Sequence, residues 1–266
     1  MREHRAVAGA PLPRNRVPTV TAAFWLIKLL AVTVGETAAD YLAVNLGYGL
    51  SATTWIMSVV LAITLALQFA QKRYAPWAYW LAVVMISVVG TLVTDNMVDN
   101  LDIALQTSTI FFSVVLAATF AIWYGLERTL SIHTIYTTRR EIFYWLAILF
   151  TFSLGTAAGD LVSEYFGLGY LITGIMFAVI VAAIGVAYFV FRIDGILAFW
   201  LAYILTRPVG ASLGDLLAQP TEYGGLGLGT GLTSWLFLAT IAAVVVLMTL
   251  SGGRAAARGP KELPTA

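Results

Sequence analysis

Four aspartates recur at matched positions, and each closes the same pattern of a Trp, a Gly ten residues on, and the Asp five beyond. The copies are Trp25–Gly35–Asp40, Trp80–Gly90–Asp95, Trp145–Gly155–Asp160 and Trp200–Gly210–Asp215. All four lie in hydrophobic segments long enough to cross a bilayer. A carboxylate at membrane depth costs about 3 kcal/mol on insertion scales, so such groups ordinarily face a bundle interior or a wet cavity and mark a pathway. Residues four apart share a helix face. By that rule Glu36 accompanies Asp40, Thr91 precedes Asp95 with Asp99 following, and Thr156 precedes Asp160 with Glu164 following. In the fourth copy Ala211 stands before Asp215, with Ser212 nearby and Arg207 eight residues upstream.

The charge balance of these segments points to a cation. Glu36, Asp40, Asp95, Asp99, Asp102, Asp160, Glu164, Asp215 and Glu222 lie in one half of the spans or their loops, whereas only Lys28 and Arg207 are positive within spans. Such an excess cannot be cancelled internally; it draws cations toward that mouth and repels anions. Crowded carboxylates titrate as a group, which makes them candidate proton carriers. Oxygen ligands, with hydroxyls nearby, no Cys and no intramembrane His, suit Mg, Mn or Ca and not Cu(I); they fit Zn poorly. The expected metal ligands are Glu36, Asp40, Asp95, Asp160 and Asp215, with Asp99, Glu164, Thr91, Thr156 and Ser212 as further cation or proton contacts. Lys28 and Arg207 are expected as counter-charges; Lys28 is also a candidate for Schiff-base chemistry. The alternative is structural, with each acid bonded to neighbouring backbone or to Lys28 and Arg207.

The other repeated residues have packing roles first. Gly35, Gly90, Gly155 and Gly210 read as close helix contacts or hinges. Trp25, Trp80, Trp145 and Trp200 read as an interfacial belt, or as an aromatic cage for an organic cation. No nucleophile–His pair, P-loop or HExxH motif is present, so neither an enzyme nor a bound cofactor is expected. GLGLGTG near 225–231 lacks the strand and helix that a nucleotide site needs, and reads as a turn. No feature suggests nucleic acid.

The elements that must position these residues follow from composition. The 266 residues are 60% hydrophobic and 11% charged, against about 25% charged in soluble domains. A span needs roughly 20 apolar residues, which places helices near 18–46, 50–71, 76–97, 105–127, 140–165, 169–191, 195–217 and 229–250. The expected fold is an all-α integral membrane protein of eight transmembrane helices, built as four tandem two-helix repeats. A shift of 120 residues superposes the halves, pairing Trp25 with Trp145, Gly47 with Gly167 and Asp95 with Asp215. The divisions are a basic tail at 1–17, a first half at 18–127, a linker at 128–139, a second half at 140–250 and a tail at 251–266. Residues 1–16 and the chain from Ser251 are expected to be loose. Two spans per unit make the repeats parallel, related by an axis along the membrane normal, with the odd helices inside.

Thirteen of the fifteen Lys and Arg fall in the tails and the loops at 72–73, 128–140 and 192, all on one side. By the positive-inside rule both termini are cytoplasmic. The fourfold unit with its Trp, Gly and Asp resembles an uncharacterised bacterial family of membrane-anchored proteins made of four tandem copies of a repeat of unknown function. The resemblance covers nearly all of residues 20–250. It implies a multi-pass protein of the bacterial inner membrane and supplies no activity. The functional expectation therefore rests on the acids: a transporter for a hard divalent, Mn-like cation with proton exchange. An organic-cation or polyamine transporter and a non-transporting scaffold or sensor subunit are the alternatives. The bilayer, the cation and protons are the expected partners, and a homo-oligomer is compatible with the chain.

Overall fold

The computed structural model describes residues 15–257, and every described span is helical. The eight helices are α1 (Ala22–Asp40), α2 (Leu50–Phe69), α3 (Pro76–Asp95), α4 (Leu105–Glu127), α5 (Thr138–Asp160), α6 (Gly169–Phe189), α7 (Gly195–Ala218) and α8 (Thr230–Ala257). All eight are long and apolar enough to cross a membrane, and the chain is a multi-pass membrane protein. Helix starts follow local chemistry. Thr21, Thr137 and Asp194 each accept a backbone N–H with the side chain, and Pro76 opens α3 where its missing N–H costs nothing.

Three odd helices do not stop at their Asp. Asp40, Asp95 and Asp160 are each followed by a π-helical turn, Tyr41–Asn45, Asn96–Asn100 and Leu161–Tyr165. The widened turns are closed by bonds such as Leu46 N–H to Tyr41 O and Phe166 N–H to Leu161 O. The fourth odd helix ends differently. Beyond Ala218 the chain folds back, and the N–H groups of Leu226, Gly227, Leu228 and Gly229 bond to the carbonyls of Leu216, Gln219, Leu217 and Ala218. The glycine-rich run thus satisfies the last carbonyls of α7, which a membrane protein cannot leave bare. At Gly225 a side chain would strike the backbone of Gln219.

The odd helices form a closed ring: α1 packs on α3 and α7, and α5 packs on the same two. The glycines set its spacing. A Cβ on Gly35 would overlap Ser87, one on Gly90 would press on Phe152, one on Gly155 would overlap Arg207, and one on Gly210 would overlap Val32. Positions 32, 87, 152 and 207 are equivalent in the repeat, so one contact is used four times and the fourth joins the last repeat to the first. The even helices lie outside, carrying lipid-facing residues such as Trp55, Val59, Phe111, Ile175 and Trp235. Each packs chiefly on the next odd helix in sequence, α2 on α3, α4 on α5 and α6 on α7, while α8 returns to α1.

Several expectations need correction. The Trp residues are not an interfacial belt: Trp80, Trp145 and Trp200 are 1%, 3% and 5% exposed, and Trp25 is half-buried. They pack with Phe24, Tyr79, Tyr144, Phe199 and Tyr203, because a ring of four helices leaves an interior at its basic end that only large side chains fill. Residues 15 and 16 are ordered. Arg16 N–H bonds to Ile135 O, Asn15 bonds to Ile132 and Ile135, and Arg16 pairs at 2.5 Å with the fully buried Glu141. Helix α8 also continues to Ala257, past the expected limit at 250. The rest of the tails, 1–14 and 258–266, lies outside the described residues.

Replacing Gly210 by Ala should lower stability by about 1–3 kcal/mol, since the clash is with the stiff Val32. Thermal unfolding in detergent measures it, with Gly185→Ala, where a Cβ meets open space, as the control.

Candidate functional site

The centre of the ring is built from one residue of each odd helix. Arg207 of α7 is fully buried, with its guanidinium directed at Glu36 of α1, Thr91 of α3 and Thr156 of α5. Nη1 donates to Glu36 Oε2 at 2.9 Å, while Nη2 donates to Thr91 Oγ1 and, at 2.8 Å, to Thr156 Oγ1. Thr91 in turn donates to Glu36 Oε2 at 3.3 Å. Glu36, Thr91 and Thr156 occupy the same place in three repeats. Ala211 holds it in the fourth, and Arg207 reaches that level from one turn earlier.

One turn further toward the acidic end stands the layer of four aspartates. Carboxylate oxygens of Glu36, Asp160 and Asp215 all lie within 4.8 Å of one another. Oxygens bound to one hard cation at about 2.0–2.6 Å lie up to about 5 Å apart, so the three could share an ion. The bonds that Glu36 receives from Arg207 and Thr91 both go to Oε2. The carboxylate of Asp95 lies within Coulombic reach of Glu36, Asp40 and Asp160. Asp40 accepts from Gln219 Nε2 at 3.0 Å. Asp215 is buried; Asp40, Asp95 and Asp160 are half-buried; Asp99 and Glu164, one turn beyond, are exposed. The acids therefore form a funnel that opens at one end.

The opposite end is closed. Phe24, Tyr79, Tyr144 and Phe199 hold one repeat position, with the Tyr79 and Tyr144 hydroxyls hydrogen-bonded at 2.5 Å. From this level to the aspartates is sixteen residues along each helix, about 24 Å.

Of the expected site residues, Glu36, Asp160 and Asp215 are the group brought together, with Asp40 and Asp95 beside them. Thr91 and Thr156 hold Arg207. Two residues differ from expectation. Ser212 lies against Gly174 of α6, so it faces the outer helix. Lys28 makes no ion pair among the described residues; its Nζ donates to Tyr203 O at 2.7 Å. It stands two helical turns from Glu36, too far to reach the acids.

Two features were missed in the sequence. Gln219 had a signal, since it occupies in the fourth repeat the position of Asp99 and Glu164. Glu141 had none, because it stands at the start of a span among basic residues; its partners Arg16 and Gln68 meet it only in the folded chain.

The model of a family described as a Repeat of Unknown Function (DUF347) matches residues 23–74, 78–129, 143–194 and 198–254. The chain belongs to this family. The four matches each span one odd and one even helix, so the repeat of the family is the unit closed into the ring. No curated protein and no solved structure matches the chain.

The Arg207–Glu36 pair makes a stability prediction. Breaking a buried pair by removing one partner costs about 3–5 kcal/mol, because the other charge is left bare. Arg207→Gln should therefore destabilise the protein more than Arg207→Gln combined with Glu36→Gln. Unfolding measured for the two singles and the double gives the coupling directly, and strict additivity would refute it.

Proposed function

We propose that the protein carries a hard divalent cation of the Mn class across a bacterial inner membrane in exchange for protons. The segregation of basic residues puts both termini in the cytoplasm, so the funnel of acids faces outward. The observation that supports this reading is convergence. Carboxylates from repeats one, three and four gather within 4.8 Å, where separate structural roles would have left each with its own local partner. Acids crowded in a low-dielectric interior need a cation or bound protons to neutralise them, the two species that the proposed exchange trades, and Arg207 supplies only one positive charge.

The exposed Asp99 and Glu164 would collect cations at the mouth, and the half-buried aspartates would strip their water. Glu36, Asp160 and Asp215 would hold the ion. The aromatic layer beneath closes the path, so passage requires the ring to open at its basic end while the funnel narrows. An organic cation held by aromatics and acids together is a poorer fit, because the two layers are about 24 Å apart.

The bonds of Arg207 to three helices favour a second reading, a scaffold whose polar core only fixes the ring. Mn²⁺ flux into proteoliposomes under an imposed pH gradient separates the two. Asp160→Asn with Asp215→Asn should abolish flux in a protein that still folds, while the rim change Asp99→Asn should only weaken it. Full flux in the double variant would remove these aspartates as the site, and no flux in the wild type would remove the transporter reading.

A further inference from the structure

Lys28 is a charged group inside the ring that the cation site does not use. It is fully buried on α1, two turns from Glu36 toward the aromatic layer. An ammonium carries three N–H donors. Among the described residues the acceptor offered to Nζ is the carbonyl of Tyr203, at 2.7 Å. Two ring faces lie beside it, with the Tyr203 centroid at 4.5 Å and the Phe152 centroid at 5.8 Å. That environment accepts either state of the side chain. A neutral amine is satisfied by one carbonyl, and an ammonium is held by the carbonyl and the ring faces at an electrostatic cost.

Burial weighs most on the balance between the two states, and the charge of Arg207 adds to it. Its Cζ lies 5.7 Å from the centroid of the same Phe152 ring, and its charge acts on Lys28. With Glu36 ionised and paired to Arg207, the charge above Lys28 is largely cancelled. A divalent cation bound by Glu36, Asp160 and Asp215 would draw on that same carboxylate. Glu36 would then compensate Arg207 less, with a second positive charge beyond it. From the level of Lys28 to the basic end, the helices around it carry the phenols of Tyr203 on α7, Tyr79 on α3 and Tyr144 on α5, then Glu141, Arg140 and Arg139 at the start of α5. Toward the other end stand Arg207 and the acids of the site. Helix α8, which also packs on α1, carries no ionisable group between residues 230 and 250.

We propose that Lys28 is a proton-binding site that alternates with the cation site, protonated when the acids are free of metal and deprotonated when they hold it. This rests on the cation reading above. The step balances simply: the ammonium becomes an amine and a proton, and the proton leaves to the side from which the cation enters. On the far side the cation departs, Glu36 returns to Arg207, and Lys28 takes a proton again. The coupling is electrostatic and needs no direct contact between Lys28 and the ion.

The test uses the full chain in detergent, reading Mn²⁺ affinity and proton release together with a pH-sensitive dye in weak buffer. Lys28→Met is close in shape and removes a buried polar group, so folding is expected to survive. It should still bind Mn²⁺ but release roughly one proton fewer per ion. In proteoliposomes it should exchange Mn²⁺ for Mn²⁺ without acceleration by a pH gradient. Lys28→Arg, which cannot lose its proton, should bind Mn²⁺ more weakly than the wild type. Unchanged proton release and intact gradient-driven flux in Lys28→Met would overturn the proposal while leaving the cation site standing. Equal Mn²⁺ affinity in Lys28→Arg would overturn it likewise. Absence of Mn²⁺ binding by the wild type would remove the cation reading and this inference together.

Discussion

The structure depends on one buried guanidinium. Arg207 stands where four helices meet and bonds to a residue from each of the other three. A planar fork with several fixed donors suits this place better than an ammonium would, because it can address Glu36, Thr91 and Thr156 at once without leaving its plane. In lipid an unpaired donor is expensive, so the ring cannot slide or rotate a helix without breaking those bonds together. The acids above gather around a charge that is already committed to Glu36.

Around that centre the fold is a chain of equivalent contacts. Gly35, Gly90, Gly155 and Gly210 each admit the residue at one repeat position of the next odd helix, and the last admits Val32 of the first. A fourfold repeat can close this way only if the backbones approach closely at every junction. Missing side chains at the four glycines are the condition for a ring. The outer helices reinforce it by crossing to the neighbouring odd helix, with α8 returning to α1. The packing unit thus straddles two sequence repeats, which ties each repeat to the next.

The four repeats share a shape and differ in charge. At one level the ring carries Glu36, Thr91, Thr156 and Ala211; one turn earlier it carries Val32, Ser87, Phe152 and Arg207. Duplication supplied a symmetric cage, and substitution at equivalent places made its interior directional, from exposed acids at one end through Arg207 and Lys28 to closed aromatics at the other. Inside the ring, beside the spacing Gly and the Trp, the aspartate layer keeps one residue type in all four copies, and on the outer face so does the Leu after each Trp (Leu26, Leu81, Leu146 and Leu201).

Much of this was legible in the chain. The eight spans were marked by apolar length, and the tandem order by Trp, Gly and Asp at fixed spacing, because burial in lipid and helix geometry act within a segment. The distance of Asp40, Asp95, Asp160 and Asp215 from the Gly and Trp of the same helix followed from rise per residue alone. What spacing along a helix cannot say is which way that helix is turned. Thr91 and Asp95 share a face, but only the packed ring decides that Thr91 serves Arg207, that Lys28 meets a carbonyl instead of an acid, and that Ser212 looks outward. Trp80, Trp145 and Trp200 likewise read as residues of the membrane surface, and the folded ring drew them inside. Rotation about the helix axis and the choice of neighbour are set by contacts between residues far apart in the chain, and those contacts exist only once the ring has closed.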